Sequence, residues 1–388
     1  MQIAKIPPTL YTRDMNTPSK TSIISLVLVT FIVSWGLLLF NLGSQSMMFD
    51  EKYYVSAAKD FLAGTPTTNP EHPPVAKYFI AAGMRVLGDN PWGWRIMGTL
   101  FGAVLVVVIL LWVLELTGSR STALIAAALL VLNNFWFVMS RVAMLSIFGL
   151  TFSAIGLYLY TLSRTRGLWI GYSGLAFGLA VGCRWNAGAM LFVIGILCLV
   201  TDKSVRKPMV LYAAAASAYA LSFIPLMVRE HDAPSSFVGM QVFMLGFHKH
   251  AVSVPGFSEA WYNWIFRTHP QDSLPYLVGN PAITVFGILA LAFILYRRDK
   301  MIVAMPYLVN LGFWVVTPRP ATYYYYYLDA FVFLAPAIAV ACWQLGESKK
   351  MPFKLAPVAV ASALVGFVSY YGVMAGLPAP WNCILGCH

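Results

Sequence analysis

The stretch that decides the fold is SIISLVLVTFIVSWGLLLFNLGSQSMMFDE, residues 22–51. Residues 22–42 carry no charge and match the roughly 20 apolar residues that an α-helix needs to cross a hydrocarbon core. A charged leader precedes them with no convincing small-residue cleavage site, so the segment reads as a retained signal-anchor. Working outward, further apolar segments recur at 92–114, 121–138, 145–162, 168–183, 186–201, 209–228, 281–296, 301–317, 324–343 and 355–374. With the first segment these make about 11 spans, an all-α polytopic membrane protein. The chain is 59% hydrophobic and 11% charged with a mean hydropathy of +0.70, which excludes a water-soluble domain; 15% aromatic content excludes a disordered or collagen-like chain. At about 20 residues a span, little of the 388-residue chain is left for a large extramembrane domain.

The net charge of +11 raises the question of nucleic acid, and its distribution answers it. Fifteen of the 26 basic residues fall in short runs between spans: Lys5, Arg13 and Lys20; Arg120; Arg164 and Arg166; Lys203, Arg206 and Lys207; Arg297, Arg298 and Lys300; Lys349, Lys350 and Lys354. These runs occupy every second loop and mark the cytoplasmic face. Residues 1–21 are then a cytoplasmic leader, 22–374 the transmembrane domain and 375–388 an outside tail. The charge serves orientation, with no nucleic-acid partner implied.

The two long loops, about 43–91 and 229–280, lie outside and hold nine of the 15 acids: Asp50, Glu51, Asp60, Glu71, Asp89, Glu230, Asp232, Glu259 and Asp272. Singly, each reads as solvated loop surface. Asp50 and Glu51 stand apart, because desolvation at the membrane boundary and a neighbouring negative charge raise the proton affinity of one member, as a general base requires. Asp50 also reads as the N-cap of an amphipathic interfacial helix, Glu51 to Leu62, whose apolar residues Tyr54, Ala57, Ala58, Phe61 and Leu62 suit a membrane surface. A second interfacial helix, Val75 to Leu87, follows the stiff turn Glu71-His72-Pro73-Pro74-Val75-Ala76-Lys77, whose Glu71, His72 and Lys77 suit a small polar ligand. Arg85, Arg95, Arg141, Arg184 and Arg319 lie outside or at adjacent span ends. There an arginine is paired, snorkels, or binds an anion such as a lipid-borne phosphate. His248-Lys249-His250, with His231 and His269, lacks recognised metal-ligand spacing, and no metal site is assigned. Cys183, Cys198 and Cys342 read as small apolar residues within spans; Cys383 and Cys387-His388 read as a disulfide or unpaired thiols.

Ordered along the chain are Asp50-Glu51, the Glu71–Lys77 turn, W-G-W-R at Trp92–Arg95, S-R-V-A-M-L at Ser140–Leu145 and R-W-N at Arg184–Asn186. W-Y-N-W at Trp261–Trp264, Y-L-V-G-N-P-A at Tyr276–Ala282 and Pro318-Arg319 with the tyrosine run Tyr323–Tyr327 complete the series. This pattern resembles the protein O-mannosyltransferase family and its polyprenyl-phosphate-dependent GT-C relatives over about residues 45–340. The resemblance implies a multispan glycosyltransferase of GT-C type that passes a sugar, mannose first, from a polyprenyl phosphate to a protein Ser or Thr hydroxyl, with inversion, on the outside face of a prokaryotic plasma membrane. It implies Asp50 as the base; Glu51, Glu71, His72 and Lys77 as positioning groups; and Arg95, Arg141, Arg184 and Arg319 toward the lipid phosphate. Trp185, Trp261 and Tyr327 are the expected pocket aromatics, although most of the tyrosine run reads as an interfacial belt.

Three departures stand out. Ser146 occupies a place where many relatives have an acid, the later outside loop has no room for a soluble domain, and Tyr327 and Asp329 replace an expected His and Pro. A glycolipid or envelope-polysaccharide acceptor is the nearest alternative. A non-catalytic membrane subunit or a transporter is the alternative from another class. Against the transporter, the charged residues gather at one face and do not line the midplane.

Overall fold

The structure is a computed structural model that describes residues 20–44, 46–228, 236–250, 258–267, 277–317, 319, 321–347 and 355–377. Glu230, His231, Asp232, His269, Asp272, Tyr276, Pro318, Cys383, Cys387, His388, most of the leader and nearly all of the tail lie outside the described residues.

Among the described residues, regular structure is helical throughout. The chain opens with α1 (Lys20–Leu39), α2 (Glu51–Ala63), α3 (Val75–Leu87), α4 (Pro91–Thr117), α5 (Arg120–Val131) and α6 (Asn134–Ser140). It continues with α7 (Leu145–Ser163), α8 (Trp169–Cys183), α9 (Gly188–Val200), α10 (Arg206–Ser222), α11 (Ile224–Met227) and α12 (Phe237–Lys249). It ends with α13 (Trp261–Trp264), α14 (Pro281–Arg297), α15 (Met301–Val316), α16 (Leu328–Phe331), α17 (Leu334–Glu347) and α18 (Leu355–Met374). Among the described residues, six helices are long and apolar enough to cross a membrane, or seven if α5 and α6, bent by 64°, count as one span. Four shorter apolar helices, Trp169–Cys183, Trp185–Val200, Pro281–Arg297 and Met301–Val316, stand where the sequence predicts further spans. Only 11% of the first span's apolar window is buried, against 83% of the Tyr324–Gly346 window, so Ile24, Leu28, Val29, Ile32 and Val33 present an apolar exterior. A helix apolar all round and unburied by protein has lipid as its solvent. The chain is an integral membrane protein.

Helix α4 is the organising element and packs against α1, α3, α5, α6 and α7. Its start is written locally: the Asn90 side chain accepts from the Trp92 and Gly93 amides, and Pro91 occupies the first turn, where no amide is needed. Helices α8 and α10 meet through Gly174 and Gly178, four residues apart on one face of α8. A Cβ at either would stand 2.3 Å from a carbonyl oxygen of Leu211 or Ala215, so only glycine permits this approach.

The first long loop folds as the two expected helices. α3 has the predicted bounds. α2 differs in what part of its apolar face meets: Tyr54, Ala57 and Ala58 are buried and α2 packs on α3, while Leu62 at its far end stays exposed.

Candidate active site

Asp50 occupies the N-cap position of α2, and its backbone carbonyl accepts from the Tyr53 and Tyr54 amides at 3.0 and 3.3 Å. Its side chain makes no capping bond. Instead Oδ2 accepts from the Tyr325 hydroxyl at 2.8 Å. The chain reaches this turn through Phe49, held at φ 54°, a left-handed conformation that costs a bulky residue on the order of 1–2 kcal/mol. Burial raises the Asp50 carboxyl above the ordinary carboxylate range, opposed by the Tyr325 hydrogen bond and the charges of Lys52, Arg184 and Arg319.

The tyrosine run is no interfacial belt. Tyr324 to Tyr327 form a tight 3₁₀ turn and all four are buried. Tyr325 reaches Asp50, while the Tyr326 ring receives two guanidinium groups, Arg184 at 5.1 Å and Arg319 at 5.6 Å. Arg184 Nη1 also donates to Ser146 Oγ at 2.8 Å and to Asp329 Oδ2 at 3.2 Å. Arg319 has no ion-pair partner among the described residues, and its buried Nε makes no hydrogen bond there.

Beside this cluster a ring wall is built from Tyr54, His72, His248 and Trp185, with consecutive centroids 5.7, 5.1 and 5.9 Å apart. Burial depresses His72 well below the usual imidazole range, helped by the Lys77, His248, Arg184 and Arg319 charges. His248 is lowered to about 4, again chiefly by burial. Both rings are neutral at neutral pH and wall the site without adding charge. Trp185 is fixed by donation from Nε1 to the Tyr219 hydroxyl at 2.8 Å, which in turn donates to Gln241 of α12 at 2.5 Å.

Several expected site residues are committed elsewhere. Glu51 is fully buried and takes both oxygens to Arg95, from Nε and Nη2 at 2.8 Å each. It also accepts from the Met48 and Ala143 amides at 2.8 and 2.7 Å. Arg95 further donates to the carbonyls of Leu42 and Ser46. Neither has capacity left for sugar, acceptor or phosphate; together they clamp the chain leading into Asp50. Arg141 is likewise redirected: it donates to the carbonyls of Leu38, Phe40 and Asn41 at 2.7, 2.6 and 3.3 Å, satisfying the C-terminal end of α1. Lys77 is buried and donates to the carbonyls of Asn69 and His72, and Glu71 accepts from the Asn69 amide group at 2.6 Å. These two hold their own turn and, through it, His72. Tyr327 is core, bonded to the Tyr307 hydroxyl at 2.8 Å and packed on Phe135. Trp261 is partly buried and meets the Tyr262 ring edge to face, while Trp264 reaches Tyr326 and Tyr327. Tyr325, Tyr326, His248, Asn186 and Asp329 complete the cluster. Sequence offered a signal for them in the tyrosine run, the histidine pair, the R-W-N motif at Arg184–Asn186 and the departure at 329.

Residues 71–228 match the family model described as dolichyl-phosphate-mannose-protein mannosyltransferase. The chain is 30% identical over 233 residues to a polyprenol-phosphate-mannose–protein mannosyltransferase of Mycobacterium tuberculosis, covering 48% of this chain and 44% of the relative. It is 29% identical over 202 residues to the protein of the same name from Corynebacterium glutamicum, covering 42% and 39%. The chain thus matches under half the length of these curated relatives. By structure it resembles the Saccharomyces cerevisiae protein O-mannosyltransferase Pmt1–Pmt2 complex bound to the sugar donor, with a TM-score of 0.78 and 12% identity over 94% of this chain and 91% of that one. ArnT from Cupriavidus metallidurans bound to undecaprenyl phosphate gives a TM-score of 0.60 at 15% identity over 93% and 66%. Sequence and fold point the same way: residues 71–228 are similar to the dolichyl-phosphate-mannose-protein mannosyltransferase family, and the helical membrane fold is the one shared by the Pmt1–Pmt2 and ArnT structures.

Proposed function

We propose that this protein is a membrane glycosyltransferase that moves a hexose, mannose first, from a polyprenyl phosphate to a Ser or Thr hydroxyl of a protein. The observation that carries the reading is Asp50: a carboxylate at a helix N-cap that leaves the cap unmade, is raised in proton affinity by burial, and faces Arg184 and Arg319 across the tyrosine turn. In this mechanism the acceptor hydroxyl attacks the sugar C1 and gives its proton to Asp50. The C1–O bond to phosphate breaks, the electron pair leaves with the phosphate, and configuration at C1 inverts. Arg319, with no carboxylate of its own among the described residues, and Arg184 supply positive donors where charge accumulates. The neutral wall of Tyr54, His72, His248 and Trp185 limits water, whose attack hydrolyses the donor. The named relatives of like sequence support the donor and the protein acceptor.

The site belongs to the non-cytoplasmic face of a prokaryotic plasma membrane, since the basic loops lie opposite Asp50. The test is transfer from radiolabelled polyprenyl-phosphate mannose in membranes holding the protein. Label on protein supports the reading, label on glycolipid or envelope polysaccharide moves the acceptor to that class, and release of neither product removes the transferase reading.

A further inference from the structure

Asp329 lies in α16 with a side chain that is 8% exposed, and Arg184 is its only salt-bridge partner among the described residues. Its Oδ2 accepts from Arg184 Nη1 at 3.2 Å and from Asn186 Nδ2 at 2.6 Å. Its backbone carbonyl accepts from Asn310 Nδ2 at 2.8 Å, which fixes α16 against α15. The same Arg184 nitrogen donates to Ser146 Oγ in the first turn of α7, 2.8 Å away. Arg184, Ser146, Asn186, Asn310 and Asp329 line one small cavity. Both described polar contacts of Arg184 therefore fall on Nη1, leaving Nε and Nη2 without a partner among the described residues. A guanidinium held by one nitrogen keeps its remaining donors directed and unspent, as a phosphate-binding arginine needs.

We propose that Asp329 is the positioning residue that orients Arg184 toward the departing phosphate, and that residue 146 is an interchangeable seat for the same carboxylate. The two departures noted in the sequence meet on a single guanidinium nitrogen: a neutral hydroxyl on α7 and an acid on α16. One negative charge is needed there to neutralise a buried arginine, and either helix is close enough to provide it. The proposal rests on the transferase reading.

Its test uses the whole protein in membranes, comparing Asp329→Asn, Ser146→Asp and the double variant by kcat, KM and melting temperature. Asp329→Asn is expected to lose roughly 10- to 100-fold in kcat, the effect of misplacing one charge-assisted donor. Adding Ser146→Asp is expected to restore kcat to within about fivefold of the parent, a recovery that mere loss of packing does not give. Ser146→Asp alone, with two carboxylates on one nitrogen, is expected to lower kcat. Full activity of Asp329→Asn overturns the proposal, as does a folded double variant no more active than Asp329→Asn. Should Asp329→Asn melt out, Asp329→Glu is the second arm: it is expected to keep kcat within about tenfold of the parent, and a folded, inactive Asp329→Glu overturns the proposal. If the parent itself transfers nothing, the functional reading fails alone. The pairing is then read from the melting temperatures of the four proteins, where additive effects at 146 and 329 overturn it and compensation upholds it.

Discussion

Asp50 and Glu51 are neighbours in the chain and opposites in the structure. Glu51 belongs to a knot within the first long loop, where four donors converge on its two oxygens and Arg95 is likewise taken up. Asp50 sits beside the tyrosine turn, where one hydroxyl meets it and the charges of Lys52, Arg184 and Arg319 act on its carboxyl. The arginines divide in the same way. Arg141 spends both Nη nitrogens on the end of α1, whereas Arg319 rests on the Tyr326 ring with no ion-pair partner among the described residues. Charge that is saturated with hydrogen bonds builds the scaffold; charge that is held but unsaturated is available for chemistry.

Breaking the knot gives the largest effect on stability. Glu51→Ala leaves Arg95 charged and unpaired in the interior, and is expected to cost about 3–5 kcal/mol in a denaturation experiment. Arg141→Ala removes its bonds to the end of α1 and is expected to cost about 1.5–3 kcal/mol, with donor affinity unchanged in the fraction that stays folded. On the cleft side, Tyr325→Phe removes the hydrogen bond that favours ionised Asp50. Transfer at neutral pH is expected to fall roughly 3- to 10-fold. Because that bond lowers the Asp50 value, its loss raises it, and the acid limb of the pH–rate profile moves to higher pH. Tyr327→Phe is the smallest break: loss of the bond to Tyr307 is expected to cost about 0.5–1.5 kcal/mol of stability and leave transfer unchanged, as its place in the core requires.

Which parts were legible in the sequence follows from the range of the interactions involved. The apolar helices and the helix Val75–Leu87 are set by local composition and pattern, and these were readable. Asp50 was readable as one of a pair of acids partly desolvated at a membrane boundary. That Glu51 is withdrawn from the site was not, because its partners Arg95 and Ala143 lie 44 and 92 residues away. Arg141 and Arg184 look alike at the ends of spans; only the fold shows that one meets backbone carbonyls of the α1 end and the other a carboxylate of α16. The tyrosine run misled because amphipathic aromatic residues suit either an interface or a polar core, and the tight 3₁₀ turn that buries them leaves no helical period to read.

The contrast between the two adjacent acids is also the most direct test. Asp50→Asn and Glu51→Gln are made in the same membranes, and both sugar transfer and melting temperature are measured at neutral pH. Burial raises the Asp50 value, so ionised Asp50 loses stability for the fold as pH rises from the ordinary carboxylate range through that raised value. Asp50→Asn is therefore expected to melt no lower than the parent while losing roughly 10²- to 10⁴-fold in transfer. Glu51→Gln is expected to melt lower and keep transfer in its folded fraction. An Asp50→Asn protein that transfers sugar at the parent rate contradicts the account.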